Sequence, residues 1–106
     1  MNPSYQKSDY QSLEFHKLVV TKLQEDPSLI QKALNNIYLW KIQNTNPQPY
    51  LDEWLIHIDK ELDHLLAFLE SETDEAQRLR SSSPFVGIIT QEERMIISRK
   101  FHGPRP

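Results

Sequence analysis

Apolar positions recur along this chain at three- and four-residue steps and almost nowhere at the two-residue step of a strand. The strongest run is Leu51, Leu55, Ile58, Leu62, Leu65 and Leu69, a seam that lets a helix lie along a neighbour, widened by Trp54, Leu66 and Phe68. The spacing predicts one long helix over about 50–70, the longest of the chain, with Asp59 as the candidate cap should a second segment begin there. Burial of the six seam residues contributes on the order of 1.5–3 kcal/mol each before entropy is counted, so a charge at Leu62 is expected to unfold the domain.

Start and stop signals frame further helices on either side. Ser8 with Gln11, or Ser12, caps a first helix that ends near Glu25 and gathers Leu13, His16, Val20 and Leu23 on one face. Asp26 followed by Pro27 opens a second helix running to about Gln43, because the carboxylate accepts orphan N–H groups and proline at the first helical position loses no hydrogen bond. In it Ile30, Ala33, Leu34, Ile37 and Trp40 or Lys41 form the apolar face, while Gln31, Lys32, Asn35 and Asn36 point elsewhere. The stretch Asn44-Thr45-Asn46-Pro47-Gln48-Pro49 is the clearest linker.

Beyond the seam, Thr73 before Asp74 and Glu75 starts a short helix that ends around Arg80 to Ser82, stopped by Ser81-Ser82-Ser83-Pro84. Phe85-Val86-Gly87-Ile88-Ile89 is the only apolar run without helical spacing, and Gly87 suits a positive φ in a turn. Thr90 and Glu93 form a capping box for a last helix carrying Met95, Ile96 and Ile97. The expectation is an all-α, compact bundle of about five or six helices in a single domain over 9–101, with flexible ends at 1–8 and 102–106.

Composition narrows the chemistry. A chain of 106 residues with 38% apolar content and a mean hydropathy of -0.63 builds a real but thin core, the kind that gains stability from a partner or a second copy. With no cysteine, disulfides, zinc–thiolate sites and thiol nucleophiles are excluded. The first ten residues lack the charged start and apolar run of a signal peptide, and no stretch reaches the length of a membrane span, so a cytoplasmic protein without a membrane partner is expected.

Charge is unevenly placed. Residues 1–75 carry six Lys against thirteen Asp or Glu, a balance of -7, whereas residues 76–106 carry six Lys or Arg against two Glu, a balance of +4. Acidic middle and basic end either complement each other within the fold or present an acidic surface to a basic partner.

No catalytic constellation emerges, and neither an enzymatic activity nor a cofactor is expected. His57, Glu61 and His64 stack on one face of a continuous helix in a way that suits a metal, but that face lies roughly 120° from the seam, where an ordinary polar flank is the simpler reading. The serine run at 81–83 has no glycine-framed elbow and reads as a helix stop rather than a nucleophile. Gly87 and Gly103 are the only glycines, so the chain cannot build a glycine-rich phosphate cradle, and nucleotide-binding folds are not expected. The basic end, with Arg78, Arg80, Arg94, Arg99, Lys100, His102 and Arg105, allows a small DNA-binding regulator as the alternative, although the turn at 84–87 is longer than that of a helix-turn-helix. Most of Tyr38, Trp40, Tyr50, Trp54 and Phe85 are expected in the core, the rest in a contact patch.

The stretch from Gln77 to Arg94, with Leu79-Arg80-Ser81-Ser82-Ser83-Pro84-Phe85-Val86-Gly87 and then Glu93-Arg94, resembles the closing block of a family of small all-α bacterial proteins. The layout of Leu18 to Trp40, including Asp26-Pro27-Ser28-Leu29, and of Tyr50 to Trp54 is similar to that family as well, although Ile58-Asp59-Lys60 lacks the proline expected there between the two middle helices. The resemblance implies an accessory protein encoded beside a toxin-like partner, and brings no catalytic residues with it. The expected role is therefore an antitoxin-like module that neutralises or regulates a protein partner, with Asp59, Asp63, Glu70 and Asp74 as acidic contacts and Arg80, Phe85 and Arg94 as anchors. Self-association is a further expectation from the thin core.

Overall fold

Most described helices of this chain begin where a first free N–H group finds an acceptor or a proline removes the need for one. The computed structural model describes residues 6–44 and 46–102, the side chain of His102 excepted; of the expected flexible ends at 1–8 and 102–106, Lys7, Ser8 and His102 are helical, and 1–5 and 103–106 lie outside the described residues. Helix α1 (Lys7–Glu25) opens two residues earlier than the expected domain start. Neither Ser8 nor Ser12 caps it. The Gln6 backbone N–H instead donates to the Asp9 carboxylate at 2.8 Å. That bond, helped by the Gln77 side chain, holds the Asp9 carboxyl below its usual range.

The Asp26 carboxylate accepts from the Ser28 N–H at 3.1 Å and starts a 3-10 turn (Pro27–Leu29) that runs straight into α2 (Ile30–Gln43). Pro49 is the first residue of α3 (Pro49–Ile58), and α4 (Leu62–Glu70) follows it. In α5 (Asp74–Arg80) the Thr73 hydroxyl accepts from the Ala76 N–H at 3.2 Å. The capping box of α6 (Gln91–His102) forms as the sequence predicts, with Thr90 N–H to Glu93 at 2.9 Å and Glu93 N–H to Thr90 at 3.1 Å. The described residues hold six α-helices and no strand, an all-α bundle.

The long helix expected over 50–70 is two helices, and α1, with 19 residues, is the longest instead. Asp59 ends α3, its N–H bonded to Leu55 O at 2.9 Å, and Glu61 rather than Asp59 opens α4. The break occurs without the proline that the family resemblance places there. A straight helix over 50–70 would reach about 30 Å, matching the shorter dimensions of the molecule, 30 and 29 Å. Folding it back lets both halves face one core. Leu51, Leu65 and Leu69 are fully buried, but Leu55 and Ile58 only pack against the rim, and Leu62, half-buried, is no part of the core. A charge at Leu62 is consequently far less damaging than the uninterrupted seam implies.

Helix α1 is the hub, packed against α4, α5, α6 and the 3-10 turn, while α3 lies on α4 and α2 on α3. Its inward face carries Leu13, His16, Val19, Val20 and Leu23, all buried. Trp54 is the centre of the core: its indole N–H donates to Leu79 O at 3.2 Å and Ser82 O at 3.1 Å, and its ring meets Phe68 and Phe85 edge-on at 5.8 and 5.7 Å. Phe85 is delivered there by the segment after α5, where Gly87 takes the predicted positive φ of 86°. Asn36, which the periodicity turns away from the core, clamps this segment by donating to Pro84 O at 2.9 Å and Val86 O at 3.1 Å.

Candidate functional site

Three regions bring chemically active side chains together, and the first is the acidic edge. Asp59, Asp63, Glu70 and Asp74 are all exposed and make no ion pair with a described residue. Their carriers are the end of α3, both ends of α4 and the start of α5. Asp63 and Asp74 sit in first turns, where a carboxylate is favoured by the helix dipole. Asp59 and Glu70 sit at the opposite ends, where the same dipole disfavours it. Among the neighbouring acids, Asp52 pairs with Lys41, and Glu53 pairs with Arg78 at 2.8 Å, which in turn strengthens the Arg78 hold on its proton.

The basic end does not cover this edge. Besides Arg78, two of its charges turn to α1 or inward: Lys100 lies 3.8 Å from Glu14, and Arg80 is buried, donating to Leu69 O and Ser71 O. Glu93 is bound by Lys22 of α1 at 2.8 Å, the main reason its carboxyl is held below the usual range. Arg80 and Phe85, expected as surface anchors, are therefore internal struts that a partner docking on the surface does not touch. Arg94 is exposed, on α6, with its guanidinium over the Phe15 ring at 5.2 Å. The bases of residues 76–102 are thus divided between the Glu53 pair, the interior and the exposed surface of α6.

The second region is an open cleft of about 1000 Å³. Its floor is α1 and the Arg80–Ser83 segment, one side is the end of α2 with the start of α3, and the other is α6. At the floor the His16 imidazole stands between two partners: Nδ1 donates to Ser12 O at 2.7 Å, leaving Nε2 to accept from the Ser83 hydroxyl at 2.8 Å. Burial lowers the His16 pKa to about 4, against the opposing pull of the Ser12 carbonyl, so the ring is neutral at pH 7. Ser83 and His16 have the separation of a nucleophile and its base, but an imidazole so weakly basic is a poor proton acceptor at neutral pH. The Ser83 oxygen also accepts from the Phe85 N–H at 3.2 Å. The pair thus pins the Phe85 segment to α1. Sequence reasoning placed His16 on an inward face but missed this partner, because Ser83 lies 67 residues away in a run of three serines.

The third region is the histidine pair. Although the helix is broken between them, His57 Nδ1 lies 3.2 Å from His64 Nε2. His57 is buried rather than on a solvent flank, its ring stacked on Phe68 at 3.7 Å and its Nε2 3.6 Å from Glu75. Glu61 and His64 are exposed. Among the described residues no group of three or more His, Asp or Glu is arranged to hold a metal ion. No described helix is long and apolar enough to cross a membrane. Comparison of the chain with protein-family models, with curated proteins and with solved structures finds no match, which leaves its own residues to carry the functional argument.

Proposed function

We propose that this protein is a non-catalytic, antitoxin-like binding module that docks a basic partner protein on the edge formed by α3, α4 and α5. The observation that carries this reading is the position of Asp59 and Glu70, exposed carboxylates at helix C-termini with no ion pair to a described residue. At such positions a carboxylate costs the fold roughly 0.3–1 kcal/mol, so local stability does not account for them. Four like charges along one edge steer a basic partner and compete with the phosphates of a nucleic acid for its active site. The exposed Ile56, one turn before Asp59–Lys60 on α3, adds apolar area to the same edge.

Co-purification with the product of the neighbouring gene, followed by affinity measurement, tests the proposal. The double variant Asp59→Lys/Glu70→Lys is expected to bind at least about tenfold more weakly and with a flatter salt dependence, while its melting temperature holds or rises. Unchanged affinity removes the acidic edge from the interface. The DNA-binding alternative predicts a low-salt mobility shift of duplex DNA by the isolated protein, an outcome the dispersal of its bases disfavours.

A further inference from the structure

In a chain with fifteen Asp and Glu and a net charge of -3, the cleft between α2, α6 and the α1 floor has no carboxylate in its described lining. What lines it is of a different kind. Arg94 stands on the α6 side, with no ion pair to a described residue, its plane already held against Phe15. A guanidinium resting on a ring in this way loses little freedom on binding an anion, and a guanidinium N–H fork matches two phosphate oxygens. Serine hydroxyls from both helices flank it, Ser8 and Ser12 from α1 and Ser98 from α6. The opposite side presents flat rings, Trp40 and Tyr50, both half-buried, with the Tyr50 hydroxyl oriented by its bond to Gln48 at 2.8 Å.

A cation, hydroxyls and exposed ring faces in one acid-free cleft suit a ligand that joins a flat heterocycle to a phosphate. The volume lies at the upper end of the range for small-ligand sites, which leaves room for a nucleotide and ordered water. Without a glycine-rich loop, side chains alone hold the phosphate, so the affinity is modest. His16 stays neutral on the floor and brings no competing charge.

We propose that this cleft is a nucleotide site, with the base against the Trp40–Tyr50 side and the phosphate on Arg94. It is independent of the acidic edge and of the partner proposed for it. The protein carries its own probe, because its two tryptophans are Trp40, in the cleft, and Trp54, sealed in the core. Titration of the folded protein with AMP is expected to quench Trp40 emission saturably, with half-saturation near or below about 1 mM. Inorganic phosphate should compete, adenosine should bind at least about tenfold more weakly, and Arg94→Gln should weaken AMP by a similar factor with an unchanged helical spectrum. The Trp40→Phe variant should lose the signal. Quenching that never saturates, equal response to adenosine and AMP, failure of phosphate to compete, or a normal response in Arg94→Gln each overturns the site.

Discussion

The acidic middle and the basic end of this chain carry charge in opposite ways. From residue 76 onward three bases work within the fold: Arg78 closes onto Glu53, Arg80 is buried against carbonyls of the α4–α5 turn, and Lys100 faces Glu14, while Arg94 and Arg99 stay exposed on α6. Along α3 to α5 the carboxylates at Asp59, Asp63, Glu70 and Asp74 stay exposed, with no ion pair to a described residue. One region uses much of its charge to hold the structure, and the other keeps these four charges on the surface. The linear asymmetry of the sequence survives folding as a surface asymmetry, and side chains with equal formal charge differ in what their removal does.

The comparison breaks most visibly in the core that the basic end encloses. Trp54→Ala removes two hydrogen bonds and a ring packed on Phe68 and Phe85, and a loss of at least about 3–5 kcal/mol is expected, seen as a population largely unfolded without denaturant. Leu69→Asp should do the same, whereas Leu62→Asp, on the same helix but outside the core, should leave a cooperative urea transition. If the two variants unfold alike, the division of the seam into core and rim is wrong.

Acid sharpens the contrast next. The folded His16 pKa, about 4, lies below the 6.5 of the free side chain, so between these values the unfolded chain binds the extra proton. Stability from this group is complete above pH 6.5 and is lost as pH falls toward 4, by an amount on the order of 3 kcal/mol. Urea midpoints at pH 7 and pH 4.5 measure it, and the His16→Gln variant should show a shallower fall over that interval. A smaller effect is expected from Thr90→Ala, about 1 kcal/mol through loss of the α6 cap. Smallest of all is the folding response to Asp59→Lys/Glu70→Lys, a few tenths of a kcal/mol per site and in the stabilising direction. A large destabilisation there would show that the acidic edge serves the fold.

Much of this architecture is legible in the residues themselves, and where it is not, the reason is physical. Local chemistry acts over three or four residues, so Asp26, Thr73, Thr90 with Glu93, and Gly87 announce their caps and turn without reference to the rest of the chain. The break at Asp59–Glu61 has no such local cause. Six apolar residues at helical spacing fit one helix as well as two, and the choice follows from both halves burying against the same α1 face. The acidic side chains were equally visible as charges, but the sequence could not separate Glu53, paired with Arg78, from Glu70, which pairs with no described residue.

By itself, then, the sequence determined that the chain is helical, where most helices start and stop, which faces turn inward, and that charge is split along its length, because each of these depends on neighbours a turn or less away. Only the tertiary structure decided that Arg80 and Phe85 are struts, that Ser83 closes on His16, and that an acid-free cleft opens beside Arg94. Those outcomes depend on side chains dozens of residues apart meeting at one place, and no periodicity encodes such a meeting.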